Sequence, residues 1–506
     1  LAPLAAASAL LAAAPAHADW KFTPTIGLTE TFTDNVNLAN DAQARTQWVT
    51  ESAPGFVLAA NGPRLKLAAS SQWHFFAYSK KDLPDTHDSQ RQYQLDAKAK
   101  VIDELLFLDA YASGGPQGIS AFGPQPGKDN LFALGNRTDV NTWRISPYLR
   151  QRFGHTANLT LRYTRDGVDA GVRNLFGSSV GSTVNADLAS GQAWHDLGWG
   201  LSYTRQELDN KLAGASSSQI ATANLRYRLT SHLSATASGG YDKFDYQALG
   251  GRTAGRSWSV GTIWTPSQRT TVQASAGRRY YGKTGSLLAT LRSRHSVWNV
   301  SYSDDVTSTR QQFLLPAAID TASMLDQLFA TSIPDPQARA QAVAAYMQSA
   351  GLPPTLANNV NYLSNRYMRQ KQLQAGAVFR GAHGDLVVSA FDTQRTALSL
   401  QQTDSELLGS QLLALNDDVR QRGVNSNWTY RLSSHSDGIL ALTGARTRSL
   451  ATGLTSNDTL LRAGLTHRFD RKLRGAIEMR HHEGGLGAGG QRFHENALAA
   501  SIFVQL

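Results

Sequence analysis

Arg144, Arg150 and Arg152 fall on one face of a single alternating segment, and Arg162, Arg226, Arg228, Arg431, Arg462 and Arg468 occupy the polar face of others. A guanidinium stays charged at any physiological pH and forks onto carboxylate or phosphate through paired N–H donors. Lining one passage, these arginines would favour an anionic solute or polymer. The competing reading is that they neutralise Asp and Glu from loops and neighbouring strands, since charged lumens are ordinary in barrels. Two inward tyrosines, Tyr148 and Tyr281, offer rings on which sugars could stack.

Other chemistry is poorly represented. Gly485 to Gly490 contains a Gly-x-Gly-x-x-Gly match, but no helix follows it, so it reads as a loop between strands and not as a phosphate cradle. His481-His482-Glu483 has no third ligand at a recognisable spacing, and neighbouring residues of a strand point to opposite faces, which argues against a metal site. The 13 histidines are scattered, with His155, His195, His232, His383 and His435 in turn segments, so no Ser/His/Asp constellation is spelled out and no catalytic residue is assigned. The chain reads as a non-enzyme with no implied cofactor.

Zero cysteines in 506 residues exclude a disulfide framework, a thiolate metal site and covalent haem attachment. The formal net charge of +10 suggests an anionic partner: solute, polymer or lipopolysaccharide. Nothing in the sequence points to nucleic acid.

The elements that must position these side chains are strands. Through Ala221 to Leu229, alternate residues separate into Ala, Ala, Leu, Tyr, Leu on one face and Thr, Asn, Arg, Arg on the other. Leu159, Leu161 and Tyr163 oppose Thr160, Arg162 and Thr164 in the same way; Val424, Ser426, Trp428 and Tyr430 oppose Asn425, Asn427, Thr429 and Arg431. Trp48, Trp143, Trp258, Trp264, Trp298, Trp428 and Tyr430 fall on outward positions or near strand ends, where their rings suit a bilayer interface.

Residues 1–18 form an Ala/Leu-rich run ending in the small-x-small site Ala16-His17-Ala18, the pattern of a signal peptide, so the barrel is expected to occupy 19–506 and the mature chain to begin as a strand. Beyond it no apolar run of about 18 residues occurs, and spanning must be done by strands. A mean hydropathy of −0.33 fits a barrel whose lumen and loops are polar and whose outer face is apolar.

Ten tight-turn signals separate the alternating segments, from Asn61-Gly62-Pro63 and Ile102-Asp103-Glu104 through Asp304-Asp305 to Phe469-Asp470-Arg471. With longer connections on the other side, they predict a single large all-β antiparallel transmembrane barrel of about 22 strands, within a range of about 18 to 24. Two segments break the rhythm. Ser113 to Gly135, rich in Gly and Pro, reads as a long loop. Residues 316–356 carry helix-period apolar positions such as Met324, Leu325, Leu328 and Phe329, and predict a short helical insert in two pieces. Turn parity places that insert on the extracellular side, provided Asp304-Asp305 is a turn. As about 22 strands leave a wide lumen, the loop and the insert, or else a partner protein, are its expected plug. Leu498 to Leu506 end the chain inside a barrel-closing strand.

The opening run Pro24 to Leu38, with Thr33-Asp34-Asn35-Val36, resembles the start of an outer-membrane β-barrel family associated with the PEP-CTERM/exosortase system. Ser52-Ala53-Pro54-Gly55-Phe56, Leu105 to Ala110 and Ile333-Pro334-Asp335-Pro336-Gln337-Ala338-Arg339 extend the resemblance over the whole mature chain. It implies a bacterial outer-membrane channel or translocation component for exopolysaccharide or PEP-CTERM-linked export, with a periplasmic export partner, and it supplies no catalytic residues. The alternatives are an anion-preferring porin for small solutes and a scaffold barrel for a secretion partner.

Overall fold

A computed structural model describes residues 19–80, 88–125, 130–133, 136–170, 177–211, 214–246, 248–314, 321–329, 339, 343, 363–399, 418–470, 472–486 and 491–506. The first 11 strands are β1 (Asp19–Thr33), β2 (Gln47–Asn61), β3 (Leu65–Tyr78), β4 (Ser89–Ile102), β5 (Leu106–Gly118), β6 (Arg137–Phe153), β7 (Ala157–Ala170), β8 (Ser178–Ser190), β9 (Leu197–Asn210), β10 (Gly214–Arg228) and β11 (Leu233–Asp245). The others are β12 (Ala254–Ser267), β13 (Thr270–Arg279), β14 (Gly282–Arg292), β15 (Ser296–Thr307), β16 (Met368–Arg380), β17 (Gly384–Ala397), β18 (Asp418–Arg431), β19 (Ser436–Ser449), β20 (Thr455–Arg468), β21 (Leu473–Leu486) and β22 (Gln491–Gln505). Two helices lie between β15 and β16, α1 (Thr309–Leu314) and α2 (Thr321–Phe329).

Each strand pairs antiparallel with its successor, and β22 returns to β1 from Thr25↔Gln505 to Thr33↔Ala497, which closes the sheet and leaves no edge. Closure satisfies the backbone groups of the wall among themselves, as a hydrocarbon environment demands. The expected 22-stranded transmembrane barrel is the observed fold.

The pairing register carries one face consistently around the ring. Leu225, Tyr227, Leu161, Tyr163, Val424 and Trp428 are exposed on the outside, together with many more apolar side chains, far beyond the bare patch a soluble protein tolerates. Lipid covers this belt. Aromatic pairs mark its rims, as at Trp298 and Phe379, whose rings meet edge-on at 5.0 Å, and at Phe32 and Trp48 at 5.1 Å.

Three expectations need correction. Asp304-Asp305 is not a turn: both residues lie inside β15, paired with Lys371 and Gln370. The chain reverses at residues 293–295 instead, between β14 and β15, so ten tight turns remain and the insert stays on the side opposite the termini. The two aspartates resemble turn residues only by type, because one faces outward and one inward near the rim, where both find arginine. Next, Gly114-Gly115-Pro116 is not loop but strand, paired with Asn141, Val140 and Asp139 of the long β6. Glycine is needed there, since a Cβ at Gly114 would run into the Tyr93 ring; the loop itself covers 119–136. Finally, the helical segment begins at Thr309, ahead of Pro316. Most of 316–356 lies outside the described residues, as do the signal-peptide residues 1–18 and Gly487 to Gly490.

Candidate functional site: an occluded lumen

The helix α1 crosses the lumen. Arg310 donates from Nε to Ser179 Oγ of β8 at 2.8 Å and pairs through Nη2 with the carboxylate of Asp166 on β7. Both side chains are buried, and burial holds the Arg310 guanidinium below its ordinary pKa against the opposing pull of Asp166. Gly181 of β8 makes this possible: a Cβ there would lie 2.8 Å from Arg310 Nη2. From the same turn Gln311 reaches Gln206 of β9 at 3.1 Å, while Arg144 of β6 donates to the Leu314 carbonyl at 2.7 Å.

The other side of α1 holds the far wall. Gln312 donates to Gln370 of β16 at 2.6 Å, and Arg395 of β17 donates to Gln370 at 2.8 Å and to Gln312 at 2.7 Å. Strands β7 and β16 lie on opposite arcs of the ring, so a single helical turn bridges the pore. The second helix packs on β15 and β16. Its Met324, Leu325 and Phe329 are buried, and Phe329 meets the Arg380 guanidinium, near the tight-turn end of β16, at 5.0 Å. The insert thus touches the wall at both depths.

The β5–β6 loop closes a second sector. Phe122 and Ala121 form an apolar cluster with Met368 and Val419, across the lumen from β5. Leu131 and Phe132 pack with Val36, Val49 and Phe76, and Ala133 with Leu38 and Phe493. Beneath them Glu495 of β22 is fully buried, held by Arg480 at 2.8 Å, Thr33 at 2.9 Å and Asn130 of the loop at 3.3 Å. A buried carboxylate needs such donors, and the loop supplies one of them.

Among the described residues a recess of about 530 Å³ stays open along β9 to β14. Its wall is hydroxyl-rich, with Ser238 bonded to Ser259 at 2.6 Å and Ser275 to Ser286 at 2.7 Å, and with Asn224 and Thr236 beside them. Arg226 is the cation at its edge.

The nine predicted arginines all have inward register, but they do not line the passage evenly. Arg144 belongs to the closure just described. Arg162 pairs with Asp109 at 2.9 Å and sits 3.9 Å over the Tyr148 ring, and Arg150 lies over Phe107 and Tyr148. Arg462 faces Glu478 at 3.7 Å. Arg152, Arg228, Arg431 and Arg468 stand exposed at strand ends beside the tight turns, where Arg468 donates to the Ser434 carbonyl at 2.9 Å. They make a basic mouth at one end, with Arg226 a step above it. Tyr148 is inward as expected; Tyr281 is not, for it sits in the β13–β14 connection, donates to the Asp304 carbonyl at 2.9 Å and lies under Arg369. His481 and His482 point to opposite faces, bonded to Asn496 and Asp458.

Arg310, Asp166, Gln370, Arg395 and Glu495 carry the closure and were not singled out by the sequence. Each has an ordinary type at an ordinary inward position, and only its distant partner distinguishes it.

No family model and no curated protein matches this chain. Among solved structures it is similar to the apoprotein form of the FrpB iron transporter (F5-1 variant) of Neisseria meningitidis, with a TM-score of 0.51, 10% identity and coverage of 96% of this chain and 81% of that one. A second FrpB structure has a TM-score of 0.49 at 9% identity, covering 96% and 82%. The siderophore receptor PirA of Pseudomonas aeruginosa has 0.39 at 10% identity, covering 96% and 80%. At this identity the first likeness shows the fold alone. The fold is that of a Gram-negative outer-membrane barrel.

Proposed function

We propose that this protein is a loop-gated outer-membrane conduit for an anionic, polyhydroxylated solute or polymer, with exopolysaccharide export the setting that the PEP-CTERM-associated resemblance implies. One observation supports the reading above others: α1 bridges opposite walls through buried polar contacts, above a hydroxyl-rich recess and an arginine-rich mouth. The contact of α1 with the wall joins one ion pair and a few amide bonds to a small apolar patch, Phe313 and Leu314 on Ile119, Val140 and Val168, a limited set that can part and re-form. The hydroxyl and amide wall suits a sugar chain that must slide, because no single contact is strong enough to trap it, and the basic mouth selects for negative charge. A standing-open porin for small anions fits the closure poorly. The iron cargo named for the FrpB neighbour is not carried over on a shared fold.

The test is single-channel current of the refolded protein in a planar bilayer. Low conductance that rises when α1 is released, and that is then blocked by a soluble uronate oligosaccharide added on the tight-turn side, supports the conduit. A large steady conductance in the unaltered protein, indifferent to the oligosaccharide, overturns it.

A further inference from the structure

Above the apolar belt of β16 to β19, the outer wall carries cations that face away from the lumen. On β18 the outward face reads, from the tight-turn end, Tyr430, Trp428, Ser426, Val424, Arg422 and Arg420; on β19 it reads Leu440, Leu442, Gly444, Arg446 and Arg448. The register sets Arg422 opposite Arg446 and Arg420 opposite Arg448. Directly opposed like charges on one face repel and destabilise the pair unless a counterion joins them. Among the described residues one carboxylate is bonded to this group: Asp392 of β17 accepts from Arg420 at 3.0 and 2.7 Å and from Arg422 at 3.0 Å. Arg446 and Arg448 are exposed, and Lys371 adds a further outward cation on β16.

The height of the cluster identifies the counterion. From Tyr430 to Arg422 is eight residues, which at ~3.3 Å per residue and a tilt of ~40° spans roughly 20 Å, close to the ~25 Å apolar band of such barrels. With Tyr430 and Trp428 at the inner interface, the arginines stand at the outer-leaflet headgroups. Guanidinium pairs prefer phosphate oxygens, which accept two parallel N–H bonds.

We infer that Arg420, Arg422, Arg446 and Arg448 form a binding site for the phosphate groups of an outer-leaflet glycolipid, the lipid A portion of lipopolysaccharide. This site is independent of the lumen and of what the barrel conducts.

Thermal unfolding in phosphatidylcholine vesicles with and without lipid A tests it. Lipid A is expected to raise the midpoint by several degrees for the unaltered protein and for R256Q, which removes an outward cation elsewhere on the barrel. The rise is expected to vanish in R422Q/R446Q, to shrink in R446Q and to persist in R446K. An equal rise in R422Q/R446Q overturns the assignment, and so does an equal rise for the unaltered protein when phosphatidylglycerol replaces lipid A. Heat-modifiable migration of each variant in a detergent gel checks that the barrel has formed.

Discussion

Arg310 and Asp166, 144 positions apart, form a buried ion pair inside the lumen, one from the turn of helix that follows β15 and the other from the wall of β7. Removing one partner of such a pair strands a charge away from water, which costs about 3–5 kcal/mol. The barrel has 22 strands to absorb the insult, whereas α1 keeps only its amide bonds and the packing of Phe313 and Leu314 on Ile119, Val140 and Val168. D166N is therefore expected to release α1 and leave the barrel intact. Planar-bilayer conductance should rise several-fold, while far-UV circular dichroism and heat-modifiable migration stay unchanged. R310Q/D166N should restore low conductance in part, because the stranded charge is gone.

Gly181→Leu reaches the same contact from behind. A Cβ at this position already lies 2.8 Å from Arg310 Nη2 and 3.1 Å from a carboxylate oxygen of Asp166, and a whole side chain cannot be accommodated without displacing the guanidinium. Conductance should increase as in D166N. Gly200→Leu, on the inward face of β9 with only the Leu188 carbonyl nearby at 3.7 Å, should leave the closed state as it is.

The β5–β6 loop is held mainly by apolar contacts, so it should respond to truncation. Phe122 and Phe132 are each almost fully buried, and Phe→Ala in a packed core costs about 3–5 kcal/mol. F122A/F132A should undock the loop without melting the wall. Limited proteolysis is expected to cut within 119–136 in the double variant and not in the parent, at unchanged barrel melting temperature.

Charge selection should follow the basic mouth. In a D166N background, where current can be measured, Arg152→Gln with Arg228→Gln is expected to move the reversal potential under a salt gradient toward zero and to leave unitary conductance within about twofold, since charge and not width is altered. Arg420→Gln, on the outer face, should leave selectivity unchanged.

The alternation of outward Leu159, Leu161 and Tyr163 with inward Thr160, Arg162 and Thr164 was fully legible from the chain. So was the number of turns, even though one of them lies ten residues from where Asp304-Asp305 suggested. Period-two patterning is a local imprint of lipid on one side and water on the other, and each strand records it independently of the rest. The inward register of the nine arginines follows from the same rule.

What the lumen does with those side chains was decided by tertiary structure alone. Whether Arg144 lines an open pore or clasps the Leu314 carbonyl depends on a segment 170 positions later folding inward. That Arg422 and Arg420 stand opposite Arg446 and Arg448 depends on the register of β18 against β19. Gly-Gly-Pro at 114–116 becomes strand because β6 is long enough to pair with it, which no local property of those three residues announces. Local chemistry sets which face a residue occupies; long-range closure of the ring sets what stands across from it, and loop-closure entropy over such separations is recovered only when the whole barrel has formed.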